Sequence, residues 1–411
     1  MNRSSIIAPE RFAAGALTLF VAAVVFCSTF TIAGTQTALG IAALLWILLM
    51  AWKRRYIPAG SPVYVPLAIF VAVSLAAAAL SSDPGQGLYN LRNLLLMIII
   101  PIVGAVGVDR GFRGRLFFTL LVSATASGLY GTLVFLLGRG DGTLGRTSGS
   151  FSNAMTFGGV MLLLCSLFFS MAVSRGVGGK IRYPALAAFS ATLVALFFSF
   201  TRSSWLGMIC AAPVILLLQR RRFIPLYAIC ILLLYLLMPA PYKGRIDSIW
   251  DPGYRTNVQR MQMIEGGWRI FKEHWIIGVG PIDLAPLYEE RKPEDAVYVY
   301  GHLHNNFVNI AVTLGSIGLL SFLFVWYALF RLMAGNLASG VPPPERAWVA
   351  GSIGALAGFL VNGLFEWNFA DAEVITLVYI IVGSNVAIRA GLGRRTPLPE
   401  RPAGGSGGGI D

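Results

Sequence analysis

A chain of 411 residues that is 56% hydrophobic and only 12% charged, with a mean hydropathy of +0.70, excludes an ordinary soluble domain. Its net charge of +13 would suit a polyanion-binding protein, but the Lys and Arg residues gather in alternate loops between apolar runs. The charge therefore reports membrane topology and speaks against a nucleic-acid partner.

Apolar runs long enough for a helix to cross about 30 Å of hydrocarbon recur along the chain. Twelve are expected, over roughly residues 12–30, 32–52, 63–81, 93–108, 115–137, 154–174, 183–200, 204–219, 223–238, 304–330, 347–365 and 373–390. The two shorter runs flanking Ser199–Ser204 are either separate spans or a re-entrant pair. The first run follows Arg3 and Arg11 without a convincing cleavage site and reads as a retained anchor. The expected fold class is thus an all-α polytopic membrane protein of about twelve transmembrane helices. Spans one to nine fill residues 1–238, a long polar loop 239–303, spans ten to twelve 304–390, and a flexible Gly/Ser-rich tail 391–411.

Alternate loops carry Lys53-Arg54-Arg55, Arg110/Arg113/Arg115, Arg175/Lys180/Arg182, Arg220-Arg221-Arg222, Arg331/Arg346 and Arg389/Arg394/Arg395. With both termini on that side, it holds 20 of the 32 basic and 5 of the 19 acidic residues, a net +15 against −2 opposite. The basic side is expected to be cytoplasmic, termini included. Cys27, Cys165, Cys210 and Cys230 all fall within apolar runs, with no spacing that suggests a metal or a disulfide.

On the other side, several arginines sit close to span ends: Arg92 after Ser81-Ser82-Asp83-Pro84, Arg139 and Arg146 in a Gly/Ser/Thr loop, and Arg202 in Ser199-Phe-Thr-Arg-Ser-Ser-Trp205. Arg202 interrupts apolar sequence with only hydroxyl residues around it. An arginine near a membrane core is costly, and its planar fork suits a phosphate. The alternative for each is a boundary arginine reaching for water.

The loop from about Pro239 to Leu303 breaks the pattern of short connections. Its middle, Tyr254 to Trp275, reads as an amphipathic helix with Met261, Ile264, Trp268, Phe271 and Trp275 on one stripe and Arg260 beside it. Such a helix either lies on the bilayer or caps the bundle, or it also holds Arg260 where a lipid-borne phosphate would sit. Ile277-Gly278-Val279-Gly280-Pro281 then ends it with a glycine turn, weak evidence for a nucleotide.

The most informative stretch follows: Gly301-His302-Leu303-His304-Asn305-Asn306-Phe307, two of only three histidines beside two asparagines at a membrane boundary. Imidazole, with an unperturbed pKa of about 6.5, is the side chain best suited to take a proton at neutral pH. Asn305, Asn309, Thr313 and Ser316 repeat at helical spacing and are expected to face the bundle interior or a wet cavity. In the last outer loop Glu366, Asp371 and Glu373 flank aromatic residues. These acids either orient an imidazolium or bind sugar hydroxyls, or they pair with the outer arginines. Asp371 and Glu373 are the only close Asp-x-Glu pair on that face, so metal dependence is not expected.

In order along the chain, these features resemble the O-antigen ligase and polymerase superfamily of bacterial envelope glycosyltransferases. Thr201-Arg202-Ser203-Ser204-Trp205-Leu206-Gly207 resembles its arginine-containing turn. The block from Arg260 through Trp268-Arg269-Ile270-Phe271 to His274-Trp275-Ile276-Ile277-Gly278-Val279-Gly280 resembles its loop, with Trp275 in place of the usual proline. His302-Leu303-His304-Asn305-Asn306-Phe307 resembles its histidine signature, and the block from Glu366 to Glu373 also fits. Thr313 stands where a glutamate often precedes the glycine of that span, so no role for that acid carries over.

The resemblance implies transfer of a glycan from undecaprenyl diphosphate to an acceptor hydroxyl on the periplasmic side of the bacterial inner membrane. The long loop between spans nine and ten would then be periplasmic. It implies His304 as base with His302 as partner, and Arg202, Arg260, Arg92 and Arg146 on the diphosphate. Asn305, Glu366 and Asp371 would support them, with no cofactor and no metal. The first expectation is a ligase that passes the finished glycan to lipid A-core. The alternatives are a polymerase that joins lipid-linked repeats and, in another class, a lipid-glycan flippase or transporter.

Overall fold

The computed structural model describes residues 7–54, 56, 60–140 and 145–393. The flexible tail expected at the C-terminus lies, from residue 394 on, outside the described residues, as do Arg3, Arg55, Arg394 and Arg395 of the charge pattern. Regular structure among the described residues is helical, without a strand.

Helices α1 (Ile7–Cys27) and α2 (Ile32–Lys53) pack together, and α3 (Tyr64–Ala79) follows. Helix α4 (Pro84–Asn90) passes through a 3-10 stretch (Leu91–Ile98) into α5 (Ile99–Val106). The run expected at 93–108 is therefore part of a longer composite helix that carries Arg92 within it. Next come α6 (Arg110–Leu136), α7 (Ala154–Val173), α8 (Gly179–Phe198), α9 (Arg202–Arg220) and α10 (Ile224–Leu237). Helices α8 and α9 have 20 and 19 residues, about 30 Å each at 1.5 Å per residue. The long loop holds α11 (Ala240–Asp247), α12 (Arg255–Glu273) and α13 (Ala285–Arg291). The chain closes with α14 (Asn306–Ala338), α15 (Pro343–Asn362) and α16 (Ala372–Gly393).

Seven helical stretches among the described residues are long and apolar enough to cross a membrane: Ile32–Trp52, Pro84–Val106, Arg110–Leu136, Ala154–Val173, Gly179–Phe198, Asn306–Ala338 and Ala372–Leu392. Two shorter apolar helices, Arg11–Cys27 and Tyr64–Ala79, add to them. Helix α7 is the centre, with α8, α9, α15 and α16 packed around it. Helix α10 buries no residue. In lipid, helices associate through close packing and small residues rather than by transfer out of water. The crossing of α9 and α15 shows this: a Cβ on Gly207 would lie 2.7 Å from the Gly358 carbonyl oxygen.

The loop has a small core of its own, in which Met263, Ile270, Val279, Leu284, Tyr288 and Leu303 close on Val312 of α14. Helix α12 packs through Met263, Gly266, Gly267 and Ile270. That is a different face from the expected apolar stripe, whose Met261, Trp268 and Trp275 are exposed.

The expected glycine turn after α12 has a larger task. Helix α14 breaks at Gly315 (φ 65°, ψ −169°), a conformation almost restricted to glycine. The segment after α12 fills the break. Val279 and Gly280 N–H donate to the carbonyls of Val312 (3.0 Å) and Thr313 (2.8 Å). In return Ser316 and Ile317 N–H donate to Trp275 (2.7 Å) and Ile276 (3.3 Å). A Cβ on Gly315 would lie 2.2 Å from the Ile276 carbonyl oxygen. Gly315→Ala is therefore expected to cost at least about 1–3 kcal/mol in backbone strain alone. This should read out as a lower unfolding midpoint in detergent, and an unchanged midpoint would show that the break tolerates a side chain.

Candidate active site

Asn305 starts α14 as its cap, its Oδ1 accepting from Phe307 N–H (2.9 Å) and Val308 N–H (3.1 Å). Its Nδ2 donates to the Leu364 carbonyl (2.9 Å), and Asn306 Nδ2 donates to Asn368 Oδ1 (2.6 Å). The two asparagines thus clamp the start of α14 to the loop between α15 and α16. That clamp brings Glu366 to the histidines, 62 residues away in sequence.

His304 Nδ1 lies 2.6 Å from Glu366 Oε1. An ionised carboxylate only accepts, so facing one Nδ1 is the donor, and a neutral ring in that tautomer has its lone pair on Nε2, as a general base needs. The His302 ring centroid is 4.5 Å from that of His304, and Tyr300 meets His304 edge-on at 5.9 Å. Burial pulls the pKa of His302 below the usual imidazole value. His304 adds to this, and Glu366 and Asp283 oppose it. His302 is therefore neutral at neutral pH.

Glu366 has a second partner. Its Oε2 lies 3.6 Å from Arg260 Nη2 on α12, an ion-pair distance too long for a hydrogen bond, and this buried oxygen has no hydrogen-bond partner. Glu366 thus contacts both an imidazole and an arginine, the two kinds of partner its sequence position allows. Burial lowers the Arg260 pKa and Glu366 raises it again, so Arg260 remains a cation.

Arg202 is buried and its guanidinium is spent on protein groups. Nη1 donates to the carbonyl (2.6 Å) and Oγ (3.0 Å) of Ser248, and Nη2 to Thr256 Oγ1 (2.5 Å) and Asn257 Oδ1 (3.0 Å). Its face covers the Tyr254 ring at 4.8 Å. Arg202 thus pins the start of α9 to the junction of α11 and α12. Arg245, Arg260 and Arg146 all lie within electrostatic reach of it. Arg146 donates to the Ser199 carbonyl (3.1 Å) and to Thr201 Oγ1 (3.2 Å). Arg245, which the sequence did not single out, donates to the Tyr254 hydroxyl (3.1 Å) and keeps a buried Nε with no hydrogen-bond partner.

Arg92 stands elsewhere. It stacks on Tyr89 at 4.1 Å and lines a cavity of about 340 Å³ together with Asn90, Asn93, Asp283, His302, Asn309 and Trp367. Two members of the expected polar stripe of α14, Asn309 and Thr313, face this cavity. Arg139 is exposed. Asp371 caps α16, accepting from Glu373 and Val374 N–H (both 3.2 Å), and takes a 2.5 Å hydrogen bond from Thr156 Oγ1 on α7. Burial pushes its pKa up to about 7, against the Thr156 bond.

No ligand set was legible in the sequence, yet one nitrogen each of His302 and His304 and a Glu366 oxygen fall within 4.8 Å of one another, a group that could hold a metal ion. Two members of that group, His304 and Glu366, are already joined by the 2.6 Å hydrogen bond from Nδ1 to Oε1.

No curated protein matches the chain. Residues 187–323, from within α8 to the middle of α14 and including Arg202, Arg260, His302 and His304, match the family model described as O-antigen ligase, which supports membership of the O-antigen ligase/polymerase superfamily.

Proposed function

We propose that this protein is an inverting, metal-independent glycosyltransferase that moves an O-antigen glycan from undecaprenyl diphosphate to a sugar hydroxyl of lipid A-core. The observation that carries the proposal is the line Arg260–Glu366–His304, a base held by a carboxylate that also faces a cation. In this proposal α1 to α3, the composite helix from α4 to α5, α6 to α10 and α14 to α16 act as twelve spans of the bacterial inner membrane, with both termini cytoplasmic. The loop with α11 to α13 is then periplasmic.

The acceptor hydroxyl attacks the anomeric carbon and gives its proton to His304 Nε2, while Glu366 stabilises the imidazolium that forms. The bond from the anomeric carbon to the diphosphate oxygen breaks, and its electron pair leaves on the diphosphate. Arg260 and Arg245 neutralise that charge, with Arg146 and Arg202 adding to the local positive field. Attack from the face opposite the leaving group inverts the anomeric centre. The donor brings its own leaving group, so neither nucleotide nor metal is needed.

Arg92, expected with the diphosphate, falls on the acceptor side in this proposal. Its cavity combines an indole, three amides, a carboxylate and a guanidinium beside His302, a composition that suits sugar hydroxyls and an anionic inner-core sugar.

Purified protein given the lipid-linked glycan and lipid A-core is expected to yield a shifted lipid A-core band on a gel, undiminished by a chelator. A ladder formed only with a second lipid-linked repeat would make the protein the polymerase. Inhibition by the chelator that is reversed by added metal would bring the His302–His304–Glu366 group into play as a metal site.

His304→Ala should slow transfer by about 10²–10⁴-fold, the usual worth of a general base, with membrane insertion intact. Glu366→Gln should also slow it, but should cost little when added to His304→Ala, because both act through one imidazole. Additive losses in the double variant would sever the two roles.

Arg92→Ala and Trp367→Ala should raise KM for lipid A-core while leaving KM for the donor near its wild-type value. A rise in the donor KM alone would move this cavity to the donor side.

A further inference from the structure

Helix α14 supplies its own depth scale. Crossing about 30 Å of hydrocarbon takes about 20 helical residues. Arg331 is exposed on α14 and donates to the Tyr327 hydroxyl (3.3 Å), a pairing suited to the far headgroup boundary. Counting back about 20 residues from Arg331 puts the near boundary close to residue 311. The break at Gly315 and the segment that fills it therefore lie just inside the hydrocarbon, whereas His304 lies above it at headgroup level.

Irregular backbone survives at that depth only where its polar groups are satisfied within the protein. The four backbone bonds exchanged between residues 275–280 and 312–317 meet that demand. The side chains do the opposite of hiding: Trp275, Ile276 and Ile277 are 56%, 48% and 40% exposed. Ile317 of α14, whose N–H donates to the Ile276 carbonyl, and Leu320 are also exposed, at 48% and 66%. No charged residue occurs from Trp275 to Pro281, and Lys272 and His274 precede it.

We propose that residues 275–280 form a membrane-seated strap, with Trp275, Ile276 and Ile277 inserted among the acyl chains of the leaflet on the His304 side. The indole of Trp275 sits at the headgroup–acyl boundary, its apolar body in lipid and its N–H toward water. The strap anchors the C-terminal end of α12, so that Arg260 on the same helix is held at a fixed height over the bilayer. A phosphate carried on a lipid reaches that height without leaving the membrane. The proposal depends on α14 spanning the membrane and holds whichever reaction the site performs.

The test is fluorescence quenching of the full-length protein in phospholipid vesicles. Wild type and Trp275→Phe are compared, and their difference isolates Trp275. Lipids brominated near the glycerol end of the acyl chain should quench that difference strongly, and aqueous iodide should barely touch it. Strong iodide quenching without bromine quenching would put the strap in water and overturn the proposal. Protection from both would mean that protein, for instance a second copy of the chain, covers it, which overturns the proposal equally. Ile276→Trp in the Trp275→Phe background should restore a bromine-quenched component, which guards against a local change in the first variant. Glycan transfer need not be active for any of these outcomes.

Discussion

Four backbone hydrogen bonds across the break at Gly315 set the register between the long loop and the bundle. Without them α12 would meet α14 through the small core around Met263, Ile270 and Leu303, while Arg202 holds its other end to α9. Backbone bonds of this kind fix position within a fraction of an ångström, whereas apolar contacts allow sliding. They join the chain that follows Arg260 to the helix that follows His304, although neither residue touches the break. The glycines on both sides are what permit the approach: a Cβ on Gly278 would lie 2.5 Å from the Gly315 nitrogen.

Glu366 depends on that register. A buried carboxylate is expensive unless its oxygens are paired. One oxygen has a short bond to His304, and the other has only the looser attraction of Arg260. This imbalance is useful. A cation tightly bound to Glu366 would be neutralised and lost to any anion, whereas one at 3.6 Å can lean toward a phosphate at modest cost. The short bond meanwhile fixes the imidazole tautomer, so the basic nitrogen faces away from the carboxylate.

Much of this was legible in the sequence, and the failures have physical causes. His302, His304, Arg202, Arg260 and Glu366 stood out because a polar group at a membrane boundary is costly and so rarely idle. The pairing of His304 with Glu366 did not, because it depends on Asn305 and Asn306 drawing a distant loop onto the start of α14. The packed face of α12 is not legible from its apolar stripe, because apolar periodicity finds the core-facing side only when water is the alternative. Here the apolar stripe stays exposed and the glycine face packs. The strap was read as a plain turn, since bonds between backbones leave little trace in side-chain pattern beyond the glycines themselves.

The arginines show why position in a sequence does not settle a role. Arg202 interrupts apolar sequence most sharply and seemed best placed to bind an anion, yet four of its hydrogen bonds go to protein oxygens. Arg245, in a polar stretch where a cation is unremarkable, keeps a buried Nε–H with no acceptor, and Arg260 has one loose ion pair. A buried donor without a partner is unfavourable, so an incoming anion gains most where donors are unspent. Binding energy at this site should therefore come from Arg260 and Arg245. Arg202 contributes by holding α11 and α12 where those two cations converge.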